Sequence, residues 1–236
     1  MIGGGAAGGS FDPDHAPDWA EVDDYIAGKL LGDDPALTQA LAANQAAGLP
    51  AIDVSPPQGK MLHLFALMAG ARRILEIGTL GGYSTIWLAR ALPADGRLVS
   101  LEIDPYHAEV ARANLARAGV GDRVEIVVGP ARATLERMIA EGAAPFDLVF
   151  LDADKPGNAD YLRLSLELSH PGTVIVVDNV VREGQVANAE SSDASVQGSR
   201  KLFDALAATP RLSATAIQTV GGKKWDGFAL AMVGEK

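Results

Sequence analysis

Three oxygen donors and a lysine stand at two places in the chain where chemistry could be done. The apolar run Phe150-Leu151 ends at Asp152, with Lys155 three residues on, and Val177 is followed by Asp178 and Asn179. The two carboxylates and the Asn179 amide oxygen are hard donors. They suit Mg²⁺, which takes few protein ligands and keeps the rest of its octahedron for water and substrate. Manganese or calcium would accept the same oxygens. With no cysteine and no paired histidine, zinc is disfavoured. Asp and Asn are equally at home capping strand ends and turns, and a lysine after a strand is ordinarily solvated. Neither cluster implies a metal by itself. Asp154 is assigned no catalytic role, although it could join the metal site.

Chemistry at strand ends needs a sheet to hold them, and Arg73 to Thr85 supplies its centre. Ile74, Leu75 and Ile77 form the short apolar run of a strand buried on both faces. Glu76 interrupts that run and needs a partner. Gly78, Gly81 and Gly82 turn the chain where backbone must come close to something. Ser84 and Thr85 can cap a helix that continues through Trp87, Leu88 and Leu92. Strand, glycine turn and helix start build a nucleotide-type pocket. The spacing G-x-x-G-G is not the G-x-G-x-x-G that seats a pyrophosphate, and Glu76 would repel phosphate. A cationic ligand with an amino-acid end fits better, and S-adenosylmethionine is one. A second strand, Leu98 to Ile103, carries Glu102 about twenty residues past the turn, where a carboxylate can accept both ribose hydroxyls. A tight αβ connection and a surface acid are the plain alternatives.

The segments EIGTLGGYSTIWLARALP, LVSLEIDP, FDLVFLDADK and VIVVDNV together resemble the metal-dependent class I O-methyltransferases of the catechol and caffeoyl-coenzyme A type, especially the small bacterial branch. The resemblance runs from about Asp33 to Val233. It implies a cofactor site at Val54, Glu76, Gly78, Leu80, Gly82, Tyr83, Ser84, Glu102, Ala131 and Asp152. Glu76 would engage the methionine end of the cofactor or its surrounding network. It further implies a metal held by Asp152, Asp178 and Asn179, chelated by adjacent oxygens of a catechol-like ring, and Lys155 as general base. A nearby dication and a sulfonium would both disfavour the protonated lysine. Ala153 stands where the animal catechol enzymes have a histidine, so adenine packing should differ in detail.

The expected fold is α/β, Rossmann-like, with a seven-stranded, mostly parallel sheet. A short connection around GGKKWDG joins the last two strands, which must then be antiparallel, and the resemblance gives the order 3-2-1-4-5-7-6. Helices from Trp19 to Leu31 and Asp34 to Ala47 fall outside the βα alternation and are expected to cover the ligand edge. Ile52 to Gly59 reads as a loop by its two prolines, and His63 as a packing histidine. Residues 1–15 are expected as a disordered tail, and 16–236 as one methyltransferase domain.

Composition narrows the partners. A net charge of −10 repels nucleic acid, and no apolar run approaches the roughly 20 residues that span a bilayer. No secretory signal is visible, and the absence of cysteine is compatible with the cytoplasm. The expectation is a cytoplasmic enzyme for a small phenol, a homodimer by resemblance. The rivals are a coenzyme A ester as acceptor, with Lys223 and Lys224 as the obvious reserve of positive charge, and a cofactor-binding protein without catalysis. The acidic segment Arg182 to Asp193 favours the free catechol over the ester.

Overall fold

The run Arg73–Ile77 forms the central strand of a seven-stranded sheet. The computed structural model describes residues 18–235; the tail expected over residues 1–15 lies outside them. In chain order the elements are α1 (Trp19–Leu30), α2 (Pro35–Ala46), α3 (Pro56–Met68), β1 (Arg73–Ile77), α4 (Tyr83–Ala91), β2 (Arg97–Glu102), α5 (Pro105–Arg117), β3 (Val124–Val128), α6 (Ala131–Ala140), β4 (Phe146–Leu151), α7 (Asn158–Glu167), β5 (Ser169–Asp178), α8 (Ala194–Ala207), β6 (Leu212–Gly221) and β7 (Lys224–Val233). The strand order is β3-β2-β1-β4-β5-β7-β6, as expected. Strands β3 to β5 run parallel, while β7 is antiparallel to both β5 and β6.

The sheet is covered on both faces, which is why its inner strands are apolar throughout. Alternation along β1 sends Ile74 into the core beneath α3 and α4, and Leu75 and Ile77 into the core beneath α6, α7 and α8. Glu76 shares the face of Ile74 and lies opposite Ser100 in the β1–β2 register.

Several boundaries differ from the sequence expectation, each for a local reason. Pro56 and Pro57 open α3, with the Ser55 hydroxyl accepting the Gln58 N–H at 3.4 Å. A first-turn proline gives up an N–H that has no helical partner anyway. Ser84 and Thr85 do not cap α4; Gly82, at φ 83°, holds that position, and the two hydroxyls turn to Glu76. The last hairpin is tighter than GGKKWDG suggests, since Gly221 pairs with Lys224 across Gly222 and Lys223. In α1 the spacing of Trp19, Val22, Ile26 and Leu30 predicts an amphipathic helix with one apolar face, yet Trp19, Val22 and Leu30 are exposed. The helix lies against β6 and α3, with Asp23 accepting the Gly222 N–H at 2.9 Å. His63 packs as expected, its Nδ1 3.1 Å from the Trp87 carbonyl oxygen.

Candidate active site

A cavity of about 620 Å³ opens along the carboxyl edge of the sheet, and a second of about 390 Å³ adjoins it. Both fall in the range of small-molecule sites. They share a wall of Ile52, Asp53, Val54, Asn179 and Arg182.

The glycine turn shapes the larger cavity. Gly78 adopts φ 101°, and a side chain there would run into the Asp152 carbonyl, so β1 and β4 close on each other only with glycine in place. Leu80 takes the left-handed φ of 48°, which aims its N–H and that of Thr79 at one acceptor. That acceptor is Glu102 Oε2, at 3.1 Å from Thr79 N and 2.8 Å from Leu80 N. Glu102 Oε1 accepts the Asp104 N–H at 3.0 Å. A carboxylate has about four acceptor positions, so Glu102 keeps capacity for a ligand hydroxyl.

Glu76 lies deeper and is fully buried. Its Oε1 accepts from Ser84 Oγ at 2.7 Å, and its Oε2 from Thr85 Oγ1 at 2.5 Å and Ser100 Oγ at 2.6 Å. Burial outweighs these three donors and pushes its carboxyl up to about 7. The partner this interrupting acid needed is therefore a hydroxyl cage. Glu76 is not in the cavity wall, and neither are Gly82, packed on Ala111, and Tyr83, buried in the core. Through Ser84, Thr85 and Ser100, Glu76 ties β1, β2 and the start of α4 together behind the turn.

Val54, Gly78, Leu80, Ser84, Glu102 and Ala131 do line the larger cavity, as do Asp152, Lys155 and Asn179. Asp178 lines the smaller one, with Asn179. Lys155 is 8% exposed, and its Nζ donates to Asp152 Oδ1 at 2.9 Å. The turn that carries it is fixed on two sides. Asp154 accepts the Gly157 N–H at 3.0 Å and the Tyr161 hydroxyl at 2.6 Å. On the other side α8 docks through Gly198, where a side chain would strike the Lys155 carbonyl.

At the end of β5, Asn179 takes φ 56°, and its N–H donates to Asp178 Oδ1 at 2.8 Å. Burial and the charge of Asp152 push Asp178 up to about 7. A buried carboxylate facing a second carboxylate and an amide oxygen is a donor set that suits a cation. Among the described residues no three His, Cys, Asp or Glu side chains form a metal cage. The candidate set is two carboxylates and an amide.

Asp53, His107 and Arg182 were not singled out by sequence reasoning. Asp53 sits beside Val54 in the shared wall, and His107 Nδ1 lies 3.7 Å from Glu102 Oε1. Arg182, from the acidic segment itself, adds to Lys223 and Lys224 as positive charge, and all three line the smaller cavity. Its φ of 56° breaks the chain after Val181, while Asp226 accepts its N–H at 3.0 Å. An Arg just after Asp178-Asn179 was the available signal.

The O-methyltransferase family model matches residues 32–232. The catechol O-methyltransferase of Mycobacterium tuberculosis is 56% identical over 220 residues, 93% of this chain and 98% of that protein. The catechol O-methyltransferase of Niastella koreensis is 50% identical over 212 residues, 90% of this chain and 96% of that protein. The crystal structure of an O-methyltransferase from Bacillus cereus in complex with SAH superposes with a TM-score of 0.90 at 53% identity, covering 91% of this chain and 98% of that one.

Proposed function

The chain belongs to the O-methyltransferase family, and we propose that it moves the methyl group of S-adenosylmethionine to one hydroxyl of a catechol-type acceptor, assisted by a divalent cation. The observation that carries this reading is the pair of cavities meeting at Asp53, Val54, Asn179 and Arg182, with Lys155 and Asp152 in one and Asp178 in the other. A donor in the larger cavity and an acceptor in the smaller one can meet only across that wall.

The cofactor's ribose belongs at Glu102 and its adenine toward Ala131. Glu76 holds the turn rigid through Ser84, Thr85 and Ser100. Asp152, Asp178 and Asn179 would hold the cation, Mg²⁺ by the hardness of the donors, with Mn²⁺ and Ca²⁺ chemically compatible. When bound it supplies Lewis acidity that lowers the pKa of the acceptor hydroxyl. Lys155 Nζ takes the proton of that hydroxyl. The acceptor oxygen then attacks the methyl carbon in line, and the sulfur leaves with the electron pair of the broken bond. Placement of the two reactants accounts for most of the rate.

A second reading, a coenzyme A ester as acceptor, draws on Arg182, Lys223 and Lys224 in the wall of the smaller cavity. Asp23, Asp53 and Asp226 stand in the same wall and offset that charge, so the free catechol is preferred. A screen of catechols and their coenzyme A esters with labelled cofactor decides between them: a higher kcat/KM for caffeoyl-coenzyme A would overturn the preference.

The proposal extends to a cytoplasmic homodimer. Exposure of Trp19, Tyr25 and Leu30 on α1, and of Ile217 and Val220 on the neighbouring β6, supports an association surface. Among the described residues no helix is long and apolar enough to cross a membrane. Light scattering at micromolar concentration tests the dimer.

A further inference from the structure

Four carboxylates line the larger cavity, and three of them already have a place in the proposed site or in its turns. Glu102 accepts three backbone N–H groups. Asp152 is ion-paired with Lys155 through Oδ1 and belongs to the candidate cation set, and Asp154 accepts from Gly157 and Tyr161. Asp53 differs. Its Oδ1 accepts the Asn44 amide at 2.9 Å, and among the described residues no other residue donates to its Oδ2. Lys223, whose charge reaches it, donates to the Ala51 carbonyl at 3.2 Å.

The amide that aims Asp53 is itself fixed. Asn44 is 2% exposed in α2, and its Oδ1 accepts Asn114 Nδ2 at 2.9 Å. Asn114 Nδ2 also donates to the Gly81 carbonyl at 2.8 Å, and its Oδ1 accepts Arg117 Nη1 at 2.6 Å. A side chain on Gly81 would occupy the Asn44 amide's space. The N-terminal helix, the glycine turn and the Asp53 loop are thereby tied at one point. A buried network with this many partners specifies one geometry. Burial pushes the Asp53 carboxyl up, a cost that a cationic ligand offsets.

Position along the sheet says which part of the cofactor Asp53 meets. Glu102 closes β2, on one side of β1, whereas Asp53 lines the shared wall together with Asn179, which follows β5 on the other side. With ribose at Glu102, the sulfur and its methyl must lie toward the shared wall, and the amino-acid branch leaves from that same sulfur. Resting on the proposed cofactor, we infer that Asp53, aimed by Asn44, is the anionic partner of the ammonium at the cofactor's amino-acid end.

Calorimetric titration of the wild type, Asp53→Asn and Asn44→Ala with S-adenosylhomocysteine and with 5′-methylthioadenosine tests it. The second compound keeps the adenosine and the sulfur but has no amino-acid end. Asp53→Asn should raise the S-adenosylhomocysteine Kd about 10- to 100-fold, the worth of a charge-assisted hydrogen bond. The methylthioadenosine Kd should stay within about twofold. Asn44→Ala should show the same selectivity with a smaller rise. Equal losses for both compounds would make Asp53 a support of the wall and overturn the assignment. So would an unchanged S-adenosylhomocysteine Kd with a raised KM for an amine-bearing catechol, which would put Asp53 on the acceptor. A wild type that binds neither compound overturns the cofactor reading, and this assignment with it.

Discussion

Lys155 Nζ donates to Asp152 Oδ1 at 2.9 Å, so the candidate base and a candidate metal ligand are held by one another. Asp152 Oδ1 accepts the lysine and leaves Oδ2 for a cation, so one carboxylate links the candidate base to the candidate metal site. Lys155→Ala should lose about 10²–10⁴ in kcat, the usual worth of a positioned acid or base, while still binding cofactor. The defect should shrink as pH rises, and be smaller for a nitrocatechol, already largely ionised near neutrality, than for an electron-rich catechol. Profiles of kcat against pH for both acceptors check this. A defect equal at every pH and for both phenols would make Lys155 a positioning residue.

Glu102 carries two duties, three backbone N–H groups and a cofactor ribose. Glu102→Ala should weaken S-adenosylmethionine binding by about 1.5–3 kcal/mol, and the freed Thr79 and Leu80 amides should also loosen the turn. Titration calorimetry read together with hydrogen exchange at those amides separates the effects. Unchanged affinity would remove Glu102 from the ribose site.

Stability should fall as pH rises from about 5 toward 8, because Glu76 and His170, like Asp53 and Asp178, act in that direction. The folded Glu76 carboxyl sits near 7 against an ordinary 4.5. The native state therefore holds that proton where the unfolded chain has lost it, and the advantage disappears as pH passes the folded value. His170 Nδ1 lies 2.7 Å from the Pro171 carbonyl oxygen and Nε2 2.9 Å from Asp147 Oδ1, two acceptors that favour the doubly protonated ring. Its stabilisation is complete below the unfolded value and is likewise lost as pH rises. The full Glu76 contribution is on the order of 3 kcal/mol. Thermal melts of Glu76→Gln should show a flatter pH dependence than the wild type. Parallel curves would mean that Glu76 ionises without cost.

The central strand, the glycine turn and the antiparallel terminal hairpin were legible because each is a local pattern, an apolar run with a turn residue after it, whereas the strand order came from the family resemblance. What could not be read is set by contacts distant in sequence. Nothing near Glu76 says that Ser100 will stand opposite it, since that follows from the β1–β2 register. Asn44 showed only as an amide in an alanine-rich helix, and its partners lie at Asp53, 9 positions away, and Asn114, 70 away. The Ser84 and Thr85 hydroxyls were assigned to a cap by proximity, whereas a fully buried carboxylate offers the stronger demand. The exposed stripe of α1 follows the same logic, because periodicity gives the face and not what covers it.

The central claim, methyl transfer to a catechol at a site completed by Asp152, Asp178 and Asn179, is tested most directly by labelled methyl transfer from S-adenosylmethionine. The assay uses a free catechol, wild type and Asp178→Ala, with and without a chelator, alongside cofactor titration of both proteins. The account predicts transfer by the wild type, loss of transfer on chelation with recovery on adding Mg²⁺, and no transfer by Asp178→Ala despite nearly unchanged cofactor affinity. Transfer that persists in chelator and in Asp178→Ala would contradict it.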